Sequence, residues 1–343
     1  MPQIILGQQK MPETKNPPSV NQTTMTTSFG TFAKPYLASS PWNRKSVNPV
    51  LGTETIPISS YDPYIGQGEW STALFEALPS QNFMIVNKII GSSGIFCTDG
   101  YYDINGIWHS DKYTYQLSIK IPHWPPTTSG AIGTDGHADI CDASLNIIHS
   151  FFQLTKDTAG LWHCSQYSNT PLNGQGWANQ STPTQGSRAI GCPASAGLIR
   201  QSEINDGALL FNHALVMSLT YNALSQTAVT PLNTTGLFTA MDTNHSGNTG
   251  NIPYGSLIML PSNYTNASPN ADLQKVIKTL KTYGAYIADR NTGTPFVIYV
   301  ENGSVPYNLM SQPYIPLHLQ EIRAALRVVH STSGWIDGDG NVI

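Results

Sequence analysis

Ile147-Ile148-His149-Ser150-Phe151-Phe152-Gln153-Leu154, then Asp157-Thr158-Ala159-Gly160 and Leu161-Trp162-His163-Cys164, is the stretch that decides the fold class. Two short apolar runs rich in β-branched and aromatic residues flank a turn-forming Asp and Gly, which reads as two paired strands. The same texture continues in both directions. Phe83-Met84-Ile85-Val86 and the alternating Tyr113-Thr114-Tyr115-Gln116-Leu117-Ser118-Ile119 read as strands upstream; residues 208–220, 255–260, 287–288 and 295–300 read as strands downstream. Helical spacing is rarer. Trp70, Leu74, Phe75 and Leu78 predict a short helix, and Ser202–Asn205 a single turn. Leu273, Val276, Ile277 and Leu280 predict a longer helix over 272–283, stopped by Gly284, and Pro316 opens a last one through residue 329. Many strands, few helices and no regular βαβ alternation predict a mainly β fold, a β-sandwich or jelly roll with peripheral helices.

Composition agrees. The 343 residues include 29 Gly and 24 Pro, so turn chemistry interrupts the chain every few residues. The length is enough for a sizeable core. Only 11% of residues are charged, against about a quarter in an ordinary globular protein. Solubility here rests on amides and hydroxyls, a composition suited to an extracellular or virion-associated protein. Lys plus Arg number 17 against 21 Asp plus Glu, with no basic run, which argues against nucleic acid as a partner. No apolar run is long enough to span a membrane, and Met1–Gln9 lacks the basic start and apolar stretch of a secretory signal. Asn-x-Ser/Thr triplets begin at Asn21, Asn179, Asn233, Asn244, Asn263, Asn266 and Asn302, about as many as chance gives in so Asn- and Thr-rich a chain. Cys97, Cys141, Cys164 and Cys192 fit no zinc or redox spacing; disulfides and buried free thiols both remain open. Residues 1–40 are polar and aperiodic and predict an extended N-terminal arm that packs on a neighbouring subunit in a homo-oligomer or larger assembly, leaving 41–343 as one domain.

In so weakly charged a chain, acids and histidines set among glycine and apolar residues mark a candidate site. They occur as Asp135-Gly136-His137-Ala138-Asp139-Ile140-Cys141-Asp142, and again from Gly197-Leu198-Ile199-Arg200 through Glu203, Asp206 and His213. With Leu280-Lys281-Thr282-Tyr283-Gly284-Ala285-Tyr286-Ile287-Ala288-Asp289, these segments resemble a group of largely uncharacterised secreted bacterial β-sandwich proteins, over roughly residues 130–290. The resemblance implies a shared fold and work on extracellular carbohydrate. The chain departs from that pattern at Gly191-Cys192-Pro193-Ala194-Ser195-Ala196, where an acid sometimes found in the group is absent.

Each side chain has a chemical reading and a plain one. His137 between Asp135 and Asp139 suits a general acid or base, because carboxylates raise and orient an imidazole; the alternative is a histidine that only bonds backbone. Strand alternation groups Asp139 with Asp135 and His137, with Asp142 on the other face. Glu203 supplies a second carboxyl for glycoside hydrolysis. His213 or His137 with Arg200 instead suits a polysaccharide lyase, which neutralises a uronate and removes a proton. Arg200 and Glu203 at i, i+3 also fit a local ion pair. Trp108, Trp124, Trp162 and Trp177 accompany polar loops and suit the wall of a sugar groove, though core packing is the commoner fate of a tryptophan. Asp337-Gly338-Asp339-Gly340-Asn341 has the alternating oxygens of a calcium loop, with Asp242-Thr243-Asn244 a weaker cousin; a solvated Asp-Gly turn is the commoner origin of the first pattern. Two classes of function follow. One is a glycan-cleaving enzyme, hydrolase or lyase, built on Asp135, His137, Asp139, Glu203 and His213; the other is a non-catalytic structural or glycan-binding protein of a virion tail or extracellular filament.

Overall fold

A computed structural model describes residues 29–177, 186–230, 233–237 and 247–343. Residues 1–28, Asn21, Asn179 and the Asp242–Asn244 segment lie outside them. The described chain is mainly β, as expected, with a seven-stranded, a six-stranded and a four-stranded sheet carrying most of the strands. Among the described residues are two α-helices, each connecting strands of the seven-stranded sheet: α1 (Ala271–Thr282) between Leu257–Met259 and Ala285–Asn291, and α2 (Ile315–Ala325) between Phe296–Tyr299 and Arg327–Ser331.

The six-stranded sheet is buried on both faces, and strand periodicity shows how. In strand Ala138–Asp142, Ala138 and Ile140 point into a core shared with the four-stranded sheet, where Val86, Ile119, Trp124 and Trp162 meet Phe151 and Tyr167. Cys141 points the other way, and so does Ile148 of the neighbouring strand Ile147–Phe152. That second core holds Val216 and Met217 of strand Leu215–Thr220, Ile287 and Ala288 of strand Ala285–Asn291, and Leu273, Val276 and Leu280 of α1. Burying each such side chain contributes about 1.5–3 kcal/mol, so the sheet is held between two apolar layers.

Several expectations are corrected. Residues 70–78 are not helical: Ala73–Ala77 is a strand running parallel to Ala138–Asp142. Leu74 enters one core and Phe75 packs against the other, so adjacent buried residues on opposite strand faces imitate helical spacing. The run at 147–154 does not pair with 161–164. Ile147–Phe152 pairs with Gln166–Pro171 in the six-stranded sheet, whereas Trp162–Cys164 pairs with Thr155–Lys156 and Met84–Lys88 in the four-stranded one. Gln153, at φ +56°, turns the chain from one sheet to the other. The last helix ends at Ala325 and the chain returns as strand Arg327–Ser331. Helix α1 matches its pattern: the Asn270 side chain caps it by accepting from Leu273 N at 3.0 Å, and Gly284 follows at φ +74°. All four cysteines are buried free thiols.

Residues 29–40 also differ from the arm expected of them. Tyr36 is 1% exposed, donates its N–H to Leu172 O at 2.7 Å and accepts from Gly30 N at 2.8 Å. Asn43 Nδ2 ties the segment down by donating to Pro35 O and Leu37 O, both at 2.9 Å. Beneath it Trp42 stacks on Trp177 at 4.9 Å and donates Nε1–H to Gly176 O at 2.8 Å. This part of the lead is a folded strap on its own domain. Tyr36→Ala is therefore expected to lower unfolding free energy by about 3–5 kcal/mol, the usual cost of removing a buried aromatic ring. Urea denaturation measures it, and a loss below about 1 kcal/mol would show that the strap is not held.

Candidate functional site

The sequence-predicted residues fall into two separate places. Asp135 and His137 line one region with Arg188 and Asp289; Arg200, Glu203 and His213 line another. The cavities share no lining residue, so His137, Glu203 and His213 do not form one constellation.

The first region is organised by Arg188. Its guanidinium is 1% exposed, pairs with Asp289 through Nη1 at 3.2 Å, and donates from Nη2 to Trp70 O at 3.1 Å and Thr72 Oγ1 at 3.2 Å. It also lies 4.1 Å from the centre of the Tyr299 ring, a cation–π contact. Local sequence places it there: Arg188 O accepts from Gly191 N at 2.8 Å, and Gly191 takes φ +83°, so a glycine-closed turn carries the arginine inward. Asp289 comes from strand Ala285–Asn291, whose parallel pairing with Leu215–Thr220 slips by one residue. Met217 faces Ile287, but Ser218 faces Asp289, and this bulge brings Ser218 and Asp289 to the same cavity wall.

That cavity, about 440 Å³, has Tyr61, Trp70 and Tyr299 as aromatic walls and Asp135, Asp289 and Asn291 among its polar ones. Trp70 and Tyr61 are exposed, at 48% and 67%. A smaller cavity of about 250 Å³ shares Asp135 and Asp289 and adds His137, Ser187 and Arg188. Burial raises the Asp135 carboxyl above the ordinary carboxylate range; Arg188 opposes this and the Asp289 charge adds to it. The two carboxyls thus differ: Asp289 is paired with a guanidinium, whereas Asp135 is biased toward holding its proton. His137 is 3% exposed, packs 5.2 Å from the Phe152 ring and contacts Ser187 Oγ through Nδ1 at 3.2 Å. Burial, reinforced by Arg188, pushes its pKa well below that of a free imidazole. His137 is therefore a neutral wall residue and not the carboxylate-activated base expected from its neighbours.

Asp139 is corrected too. It is fully buried, accepts from Ser195 N at 2.7 Å and lines neither region, so it fastens the 192–196 turn to the central sheet. The tryptophan groove also dissolves. Trp124 and Trp162 pack 5.1 Å apart between two sheets, Trp177 is under Trp42, and Trp108 stands edge-on to Tyr102 at 4.8 Å. Their apolar rings have core partners, and the exposed tryptophan of the carboxylate cavity is Trp70. The Asp337 loop closes on itself: Asp337 Oδ1 accepts from Asp339 N at 3.0 Å and Asn341 N at 2.8 Å, and Oδ2 accepts from Asn341 Nδ2 at 3.2 Å. These oxygens serve the Asp-Gly turn, replacing the calcium reading. Among the described residues no group of three or more His, Cys, Asp or Glu is placed to hold a metal.

In the second region, His213 Nε2 lies 3.1 Å from Glu203 Oε2, and Glu203 also accepts from Arg200 N at 2.9 Å. Arg200 donates through Nη1 to Phe32 O and to Ala33 O, fastening the strap over a cavity of about 470 Å³. Arg200 and Glu203 meet at the 3₁₀ turn Gln201–Glu203 through the Arg200 backbone N–H, and the ionic partner of Glu203 is His213 in place of the i, i+3 ion pair their spacing suggested.

No known protein family, curated protein or solved structure matches this chain. Among the described residues, no helix is long and apolar enough to cross a membrane. Sequence reading missed Arg188 and did not place Asp289 in the site. The available signal was a lone arginine next to an apolar run, and an acid ending another.

The Glu203–His213 pair predicts a pH dependence. Burial disfavours the charged ring of His213, but the Glu203 charge and hydrogen bond outweigh it and raise its pKa above 6.5. Burial likewise opposes Glu203 ionisation, and His213 with the Arg200 N–H overcomes it, lowering its pKa below 4.5. The His213 contribution is full below pH 6.5 and fades as pH rises through the folded value; that of Glu203 is full above pH 4.5 and fades as pH falls through its folded value. The stability advantage of wild type over His213→Gln should therefore be greatest between pH 4.5 and 6.5 and shrink on both sides. Urea midpoints measured across pH give the curve; a flat difference would refute the ion pair.

Proposed function

We propose that this protein acts on extracellular glycans, and that the cavity between Asp135 and Asp289 is its catalytic site. The observation carrying this reading is two carboxyls in different electrostatic settings on one cavity with exposed aromatic walls. Glycoside hydrolysis needs one carboxyl that donates a proton to the leaving oxygen and one that is ionised, as base or nucleophile. Asp135, held toward its protonated form by burial, is suited to the first role. Asp289, held by Arg188 and by its acceptance from Arg290 N at 2.9 Å, is suited to the second. Trp70 and Tyr61 offer flat faces for sugar rings, and Asn291 and Ser218 offer hydroxyl partners. The weakly charged, amide-rich composition supports an extracellular or virion-associated setting, with a β-sandwich-type scaffold carrying the site.

The test is fragment release from a panel of neutral and acidic polysaccharides. Asp135→Asn should lower product formation at least about a hundredfold, the scale of lost acid–base assistance, with glycan binding retained. Asp289→Asn should do the same in protein shown by circular dichroism to be folded. Trp70→Ala should weaken binding by about tenfold, the scale of a lost stacking contact. New reducing ends without an ultraviolet-absorbing unsaturated uronate identify a hydrolase, whereas the unsaturated product identifies a lyase. Binding without fragments from any polysaccharide would replace the enzyme by a glycan-binding or structural protein of a virion tail or filament.

A further inference from the structure

The face of the six-stranded sheet that carries Ile148 is covered at its centre and exposed toward one edge. Alternation puts Phe152 on the same face, and strand register extends that face sideways. Phe152 pairs with Gln166, Gln166 with Phe96 of strand Ile95–Cys97, and Phe96 with Tyr115 of the edge strand Thr114–Gln116. Residues paired across strands point to one side of a sheet, so these four form a row. Their sequence neighbours Phe151, Tyr167, Ile95 and Cys97 enter the core on the opposite face, as alternation requires. Tyr113 extends the row beside Tyr115. Tyr115 is 63% and Tyr113 47% exposed, and Phe152, Gln166 and Phe96 are half-buried. The rings adjoin: the centre of Phe96 lies 5.2 Å from that of Tyr115 and 6.4 Å from that of Tyr113.

The row begins inside the candidate site. Phe152 and Gln166 line the smaller cavity with His137, Asp135 and Asp289. The two carboxyls also line the larger cavity, where Trp70 and Tyr61 are exposed. Aromatic surface thus leads away from the carboxyls through both cavities. From Phe152 to Tyr115 the row crosses three inter-strand steps, roughly 14 Å, which is longer than one sugar ring. It carries no charged side chain, so it offers nothing to an ionic ligand. A sheet face suits a flat chain. Pyranoses with equatorial substituents, joined by equatorial β-1,4 bonds, form a ribbon whose C–H faces lie on aromatic rings, whereas an axial linkage curls the chain away from such a surface. We propose that the row from Phe152 to Tyr115 binds an uncharged, β-1,4-linked polysaccharide of equatorial pyranoses whose chain runs into the Asp135–Asp289 cavity. This substrate class rests on the glycan reading of that cavity; Phe96 and Tyr115 hold the chain and take no part in bond cleavage.

Isothermal titration of the full chain tests it with cellohexaose, chitohexaose, their disaccharides, maltohexaose and β-1,4-hexaglucuronate. Cellohexaose or chitohexaose should bind saturably, and at least about tenfold more tightly than its own disaccharide, maltohexaose and the hexaglucuronate, the scale of one stacking contact. Tyr115→Ala should remove the advantage of the hexasaccharide over the disaccharide, whereas Tyr115→Phe, which keeps the ring, should retain it. Phe96→Ala, shown by circular dichroism to be folded, should act like Tyr115→Ala. The proposal is overturned if neither hexasaccharide binds, if the hexasaccharide binds no better than its disaccharide, or if maltohexaose or the hexaglucuronate binds as tightly. It is equally overturned if folded Tyr115→Ala binds the hexasaccharide like wild type. Cleavage is read separately. Tyr115-dependent binding without fragments keeps the row and removes the catalytic role of Asp135 and Asp289; fragments released with no dependence on Tyr115 keep that role and overturn the row.

Discussion

A guanidinium removed from water needs compensation on several sides, and Arg188 receives it from segments far apart in the chain. Asp289 supplies the counter-charge, Trp70 O and Thr72 Oγ1 accept hydrogen bonds, and the Tyr299 ring covers one face. Asp135, His137 and Asp139 all feel its charge. Removing one partner of such a buried pair typically costs about 3–5 kcal/mol, so the strands carrying these groups have little freedom to move apart. The two-faced burial of the central sheet places the partners; the arginine then fixes the spacing between them.

That constraint explains why the two carboxyls of the cavity are chemically unequal. Asp289 sits against the guanidinium, whereas Asp135 is half-buried with no direct ion pair among the described residues. The same charge keeps His137 neutral by adding to the effect of burial. One cation therefore distinguishes three neighbouring ionisable groups. The second cavity follows a different rule: its acid and histidine neutralise one another, leaving Lys34, Lys45 and Arg200 to set its sign.

The strap links this second cavity to the rest of the fold. Arg200 bonds the carbonyls of Phe32 and Ala33, while Tyr36 and Trp42 enter the main core beside Trp177. Residues 29–45 consequently form both a part of the core and the cover of a cavity. Their polar, aperiodic sequence gave no sign of this, because a strap is stabilised by single anchors such as Tyr36 and not by a repeating apolar face.

By itself the sequence determined the mainly β character, helix α1 with its Gly284 stop, and the concentration of ionisable residues at Asp135–His137 and Arg200–His213. These are local properties, set by periodicity, turn chemistry and the scarcity of charge. Only the tertiary structure decided which of them meet. Ile147–Phe152 and Trp162–Cys164 separate into different sheets because a single turn at Gln153 redirects the chain, and Ala73–Ala77 is a strand because its partner lies more than sixty residues away. Asp289 reaches the cavity through a one-residue slip in pairing that no composition or spacing encodes. Side-chain alternation is local, but strand pairing, register and the burial of a lone arginine depend on contacts between distant segments, and those contacts place Arg188 against Asp289 on a cavity wall shared with Asp135.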